Sequence, residues 1–379
     1  MKVLSVIGNR PQFIKAAAVS RHLRERAEEV LVHTGQHYDR ELSEIFFEEL
    51  DVPPPDHMLG AGSGTHAEQT GRIMTALEPL AAEIGPDVVL VYGDTNSTLA
   101  AALVAAKAGL PLAHVEAGMR SFDRSMPEEV NRIVADRLSG LLLCSTDTAV
   151  ENLRREGLGE GARLVGDVMA DVALAVGPVA EGRSDALERF GLEPRSFLLA
   201  TAHRAGNVDQ PGRLQALVSV LAAAGREATV LFPVHPRTRA RLQAAGLDRD
   251  LETAGVRAVE PLGYLDITRL LHGARAVITD SGGLQKEAYL AGVPCLTLRE
   301  ETEWVETVDA GWNRLVGLDP EAAVEALRQL SPKRDEPRPD AGIYGAGHAG
   351  ERVAEEIAGW AACTSPPAAD AGASEQDSQ

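Results

Sequence analysis

Apolar positions along the chain follow two periods that take turns. Short runs of β-branched and small apolar residues at 2–7, 29–33, 87–92, 112–115 and 140–144 predict strands buried on both faces. Between them lie segments with apolar residues three and four apart: 13–26, with Ile14, Ala17, Ala18 and Leu23 on one face, then 41–50, 99–108 and 127–138. The alternation resumes further on, with strands at 196–201, 229–233, 257–259, 276–279 and 293–298. Helical spacing fills 213–224, 237–244, 265–272, 320–330 and 350–361, and a helix through Leu284, Ala288 and Leu290 follows the strand at 276–279. Such alternation predicts an α/β protein with parallel sheets, in two doubly wound Rossmann-like domains facing across a cleft. The expected divisions are residues 1–168, residues 169–350, a C-terminal helix at 351–362 that can be read as returning to the first domain, and a disordered acidic tail at 363–379. The stretch 166–181 is Ala/Gly-rich and reads as a loop-like crossing between the domains.

Length supports two domains, because 379 residues exceed one ordinary core. A composition 44% hydrophobic and 25% charged is that of a globular protein, and no apolar run reaches bilayer-spanning length. The first residues pass from a strand pattern into a polar turn without the pattern of a signal peptide. Cys144, Cys295 and Cys363 are far apart and odd in number, so neither a disulfide framework nor a metal knuckle is indicated, and the expected setting is the cytoplasm. A net charge of −19 argues against nucleic acid and against anionic membrane as partners. An anionic substrate then needs a local cluster of cations. Acid in excess with only five lysines suits a high-salt cytoplasm or a GC-rich genome.

Candidate chemistry gathers where predicted strands end. Asp280-Ser281-Gly282-Gly283 turns from the strand at 276–279 into the following helix. Glycine lets a ligand approach the backbone, and a helix start offers unpaired N–H groups with partial positive charge, which suits a phosphate. Glu287, one turn on, is placed to reach a sugar hydroxyl beside that phosphate. An ordinary strand–turn–helix corner would look the same. Arg10 and Lys15 follow the first strand and supply local positive charge. Asp94 and Glu116 close the strands VVLVYGD and LAHVE, so two carboxylates converge on one cleft. Asp94 also suits a plain helix cap, and Glu128 and Glu129 suit first-turn partners of the helix dipole. His203 and His235 end two strands of the second domain, each with an arginine nearby, and form a phosphate and acid–base surface. Acids and histidines are too scattered for a metal site, so no metal and no cofactor is expected.

Assembled in order, GNRPQFIKA, HTGQHYD, VYGDTNSTLAAA, HVEAGMRSFDRSMPEEVNR, VGDVMAD, TAHRAGNVD, PVHPRTR and ITDSGGLQKEA closely resemble the non-hydrolysing UDP-N-acetylglucosamine 2-epimerases, enzymes of GT-B fold. The resemblance spans roughly residues 1–317. It implies interconversion of UDP-GlcNAc and UDP-ManNAc through a 2-acetamidoglucal intermediate, as UDP and the C2 proton leave and return. It also implies roles: Asp94, Glu116 and Glu128 as catalytic carboxylates, His203 as an essential histidine, and Arg10, His235, Ser281, Gly282 and Glu287 as nucleotide-sugar contacts. A homodimer is implied too, and members of the family can be regulated by substrate near the segment matching Gln36-His37. One loop departs from the pattern: Arg299-Glu300-Glu301-Thr302-Glu303-Trp304-Val305-Glu306 is similar to relatives that epimerise UDP-2,3-diacetamido-glucuronic acid. A uronate there would need Arg120 or Arg299 to offset the acidic loop. A GT-B glycosyltransferase and a silent nucleotide-sugar sensor are the rival readings.

Overall fold

The computed structural model describes residues 1–35, 54–330, 333, 335–337 and 341–364, with the backbone alone at Arg10, Ala341, Cys363 and Thr364. The helix expected at 41–50, the Gln36-His37 segment and the tail beyond 364 lie outside the described residues. Thirteen strands are described, in two parallel sheets. The first holds β1 (Lys2–Ile7), β2 (Glu28–His33), β3 (His57–Met58), β4 (Val88–Tyr92), β5 (Leu112–Ala117), β6 (Leu141–Cys144) and β7 (Ala162–Leu164), in the order β3-β2-β1-β4-β5-β6-β7. The second holds β8 (Phe197–Thr201), β9 (Thr229–Pro233), β10 (Val256–Val259), β11 (Ala276–Thr279), β12 (Cys295–Thr297) and β13 (Asn313–Leu315), in the order β10-β9-β8-β11-β12-β13. Both sheets therefore reverse direction once, between β1 and β4 and between β8 and β11. Crevices that bind ligands open at such reversals, beyond the carboxyl ends of the strands.

Helices flank both sheets: α1 (Arg10–Leu23), α2 (His66–Ile84), α3 (Asn96–Ala108), α4 (Pro127–Leu138), α5 (Asp147–Arg155) and α6 (Val168–Arg183), then α7 (Pro211–Glu227), α8 (Pro236–Ala245), α9 (Tyr264–Gly273), α10 (Gly282–Leu290), α11 (Pro320–Leu330) and α12 (Ala349–Thr364). Because both faces are covered, successive strand residues enter different cores. Val3 and Ile7 of β1 pack with α1, α6 and α12, while Leu4 and Val6 pack with α2 and α3. The unbroken apolar runs of the sequence follow from this two-sided burial.

Two differences from expectation have clear causes. Residues 166–181 are not loop-like: α6 occupies 168–183. It is apolar on every side, since Val168, Val172, Val176 and Ala180 join the core of the first sheet and other faces meet α9 and α10. Its outward positions are apolar as well, Ala175, Pro178 and Val179 among them, so it carries no amphipathic period to detect. Pro178 and Gly177 within it strengthen the loop-like look, yet a Cβ at Gly177 would stand 2.7 Å from the His272 ring, so the glycine serves close packing. The other difference is α1, which begins at Arg10 rather than at residue 13. Asn9 caps it by accepting from Gln12 N, and Pro11 sits in its first turn. Gln12, fully buried, accepts from Gly8 N at 2.8 Å and donates to Tyr92 O at 2.5 Å, tying the ends of β1 and β4 together at the reversal.

Helix α12 crosses back to lie on α1, with Val353, Ala354 and Ile357 in the core of the first sheet. Its start is held by Asp171 of α6, whose Oδ2 accepts from Gly350 N at 2.7 Å. A Cβ at Gly350 would lie 2.2 Å from Ala18 O, so the two helices touch through backbone. Gly350→Ala should therefore cost about 1–3 kcal/mol by overpacking. Denaturant unfolding reads this directly, and an unchanged midpoint would mean that α12 does not dock so closely.

Candidate active site

A cavity of about 520 Å3 lies between the two sheets, at the carboxyl ends of strands on both sides. From the first sheet it is lined by Pro11, Ile14, Lys15 and Glu116, and from the second by His203, His235, Ser281, Gly283, Lys286 and Glu287, among others. Of the residues singled out from sequence, these two halves bring together Lys15, Glu116, His203, His235, Ser281 and Glu287.

Glu116 ends β5 with a positive φ of 70°, a left-handed conformation unusual for a glutamate. The pairing of β5 with β6 shifts register between Val115 and Ala117, so Glu116 occupies a bulge that re-aims its side chain into the cavity. Its carboxylate pairs with the Lys15 ammonium, both side chains about nine-tenths buried. Burial opposes ionisation of Glu116, but Lys15, Lys286 and Arg132 outweigh it and hold its pKa below the ordinary value. Burial likewise opposes the Lys15 charge, and the Glu116 and Asp94 carboxylates reverse the balance and raise its pKa. Both groups stay charged.

Asp94 follows β4 and Gly93. Arg132 of α4 donates to its Oδ2 at 2.6 Å, and Asn131 donates to its carbonyl at 2.9 Å. It stands beside the Lys15–Glu116 pair without lining the cavity. The neighbouring glutamates at the start of α4 part company. Glu129 is buried and accepts from Ser121 N, Phe122 N and Arg132 at 2.9–3.0 Å, so its carboxylate is spent on holding the loop before α4. Glu128 is exposed and outside the cavity lining, on the side of Arg204.

In the second half, Asp280 is fully buried and gathers the loop after β8: it accepts from His203 N, Arg204 N and Asn207 at 3.0–3.1 Å. This presents the His203 ring to the cavity, 6.1 Å from the His235 ring. His235 Nδ1 accepts from Arg237 N at 3.2 Å, and burial together with His203 and Arg237 holds its pKa below the ordinary imidazole value. No side chain caps the start of α10, which leaves its first N–H groups and the Ser281 hydroxyl toward the cavity. Gly283, rather than Gly282, lines the cavity; a Cβ at Gly282 would approach Trp304 Nε1 at 3.2 Å. Glu287 accepts from Tyr264 Oη at 3.4 Å. The side chain of Arg10 lies outside the described residues.

Sequence reasoning gave no role to Lys286, Asp167 or Trp304. Lys286 is almost fully buried, pairs with Asp167 at the start of α6, and lies 3.8 Å from the centroid of the Trp304 ring. Asp167 also accepts from Met169 N at 2.9 Å as the cap of α6. The sole signal in sequence was the presence of VGDVMAD and LQKEA among the matched segments, with nothing to link residues so far apart. Among the described residues no group of three or more His, Cys, Asp or Glu is placed to hold a metal ion, and no helix is long and apolar enough to cross a membrane.

The arrangement can hold a diphosphate at the start of α10 and a reacting sugar against Lys15 and Glu116. Comparison with known proteins agrees with that chemistry. A family model described as UDP-N-acetylglucosamine 2-epimerase matches residues 21–358. A UDP-N-acetylglucosamine 2-epimerase homolog of Methanococcus maripaludis is 45% identical over 334 residues, covering 88% of this chain and 93% of its own. The UDP-2,3-diacetamido-2,3-dideoxy-D-glucuronate 2-epimerase of Pseudomonas aeruginosa is 45% identical over 369 residues, covering 94% and 99%. The crystal structure of Methanocaldococcus jannaschii UDP-GlcNAc 2-epimerase in complex with UDP-GlcNAc and UDP superposes with a TM-score of 0.85 at 39% identity, over 94% of this chain and 99% of that one. The chain belongs to the UDP-N-acetylglucosamine 2-epimerase family.

Proposed function

We propose that this chain interconverts UDP-GlcNAc and UDP-ManNAc without net hydrolysis. The observation that carries the reading is the pairing, in one cavity, of an uncapped helix start at Ser281 with the ionised Glu116 facing it from the other sheet. With the diphosphate on the start of α10 and the ribose at Glu287, the sugar ring lies toward Lys15 and Glu116. A carboxylate removes the C2 proton and the C1–O bond breaks to release UDP, which leaves 2-acetamidoglucal. Protonation of C2 on the opposite face and return of UDP to C1 complete the exchange. Two faces of one carbon need two proton-transfer groups, which gives Asp94 and Glu128 work beside Glu116. His203, His235, Lys15, Gly282 and Arg10 complete the proposed contacts to the nucleotide sugar. In this reading residues 1–168 supply the acid–base groups and residues 169–350 the nucleotide site. A cytoplasmic homodimer that serves polysaccharide biosynthesis belongs to the same proposal, on the strength of the family resemblance.

A second reading, epimerisation of UDP-2,3-diacetamido-glucuronic acid, draws on the Pseudomonas aeruginosa relative and on Arg204. That side chain is half-buried and makes no ion pair among the described residues, so it is the cation a uronate would seek. The two arginines expected from sequence to serve are already engaged. Arg299 pairs with Glu303 through both terminal nitrogens at 2.7 and 2.9 Å, and Arg120 is held by Asp136 and Glu156.

Incubation of each nucleotide sugar separately in D2O should place deuterium at C2 of UDP-GlcNAc and yield UDP-ManNAc. Label in the uronate alone would favour the second reading, and label in neither would remove both. Glu116→Gln should lower kcat about a hundredfold or more with UDP affinity little changed; near-normal turnover would dismiss Glu116 as a proton carrier.

The Arg299–Glu303 pair gives a pH prediction. Although burial works the other way, Arg299 holds Glu303 at a pKa of about 2, below the carboxylate value of 4.5. A depressed folded-state pKa stabilises the protein above the unfolded value and loses that contribution as pH falls through the folded one. The stability advantage of the wild type over Glu303→Gln should thus be full above about pH 4.5 and fade toward about pH 2. Denaturant unfolding at a series of pH values tests it, and a pH-independent difference would mean the pair is not closed in solution.

A further inference from the structure

The left-handed backbone at Glu116 needs something to impose it, and the neighbours of β5 suggest what does. His114, two residues earlier, is completely buried. Its Nδ1 lies 2.7 Å from Asp136 Oδ1, and its Nε2 lies 2.7 Å from Gly93 O. A carbonyl oxygen only accepts, so Nε2 carries a proton. Asp136 is ionised: burial favours its neutral form, but His114 and Arg120 prevail and hold its pKa below the ordinary value. Asp136 Oδ1 thus holds the other edge of the ring. Asp136 and Glu156 face Arg120, which donates to Glu156 at 2.7 and 2.8 Å and meets Asp136 at 2.7 Å.

The same carboxylate reaches past Glu116 to its far side. Asp136 Oδ2 accepts from Gly118 N at 3.1 Å, and Gly118 O accepts from Asn152 at 3.0 Å. Gly118 can take no side chain, because a Cβ there would stand 2.3 Å from Ala149 O. One carboxylate thus fixes the chain two residues before Glu116 and two residues after it. The other ring nitrogen fixes Gly93, whose own N–H donates to Val115 O at 3.0 Å. A Cβ at Gly93 would lie 3.1 Å from Lys15 Nζ and 3.3 Å from Glu116 Oε2, so the peptide that His114 holds backs directly onto the charged pair.

We infer that His114 is a positioning residue which brackets Glu116 together with Asp136 and holds it in the strained conformation that aims it at the substrate. The inference rests on the assignment of Glu116 to the reaction. In turnover assays His114→Gln should lower kcat at least about tenfold while KM stays within about threefold, the pattern of a misaimed base rather than a lost binding contact. Asp136→Asn, which keeps the shape and leaves the histidine in place, should show the same kcat-selective defect. That second variant decides the matter if the first does not fold. Unchanged kcat in a folded variant would overturn positioning, as would KM, kcat and melting temperature failing together. A wild-type chain that exchanges no C2 proton would instead defeat the assignment of Glu116, with the bracket intact.

Discussion

A glutamate held in the left-handed region at the end of a buried strand is the constraint on which the site depends. Such a conformation costs about 1–3 kcal/mol and persists only where the surroundings over-determine it. Here they do: the register shift of β5, the contacts of Asp136 to both sides, and the Lys15 ammonium all act on one residue. Relaxing Glu116 into regular strand geometry would turn its carboxylate away from the cavity. The buried Lys15 would then lose its partner, and an uncompensated charge in that position is costly. Strain and ion pair therefore support one another.

The second dependence is between halves. Neither sheet alone makes the cavity; its walls come from the strand-order reversals of both. Lys286 of α10 reaches Asp167 at the start of α6 and lies against Trp304, so a helix of the second half is tied to the chain that leaves the first sheet. Buried ion pairs contribute little net stability but fix geometry well. Lys286 also helps to keep Glu116 ionised.

Much of this was legible in the sequence, for reasons that differ by element. Doubly covered strands leave unbroken apolar runs, so β1, β4, β8, β9 and β11 stood out, and strand ends locate chemistry in doubly wound sheets. That is why Lys15, Glu116, His203, His235, Ser281 and Glu287, which line one cavity, stand out in the sequence. Helix α6 was hidden because it is apolar on all sides. Glu128 and Glu129 are indistinguishable in sequence, and only the hydrogen bonds from Ser121 and Phe122 separate a loop anchor from an exposed neighbour. Lys286 and Asp167 lie 119 residues apart, a pairing no local pattern encodes. His114 sits inside an apolar strand, where a histidine looks like core filler until both of its ring nitrogens are seen to meet acceptors.

The charge pattern of the cleft fits a reaction that must let its leaving group return. Lys15, Lys286, Arg132 and Arg299 are each matched with a carboxylate. Free cations in their place would bind departing UDP more tightly than the nucleotide sugar and trap the separated pair. The helix start offers a milder attraction, from partial charges on neutral N–H groups that neither carry a net charge nor need to reorganise. The full charges are meanwhile committed to carboxylates of the chain itself, Lys15 to Glu116 among them. In a protein of net charge −19 this also restrains entry by arbitrary anions. Arg204 stands in contrast: half-buried and with no ion-pair partner among the described residues, it lies outside the cavity lining.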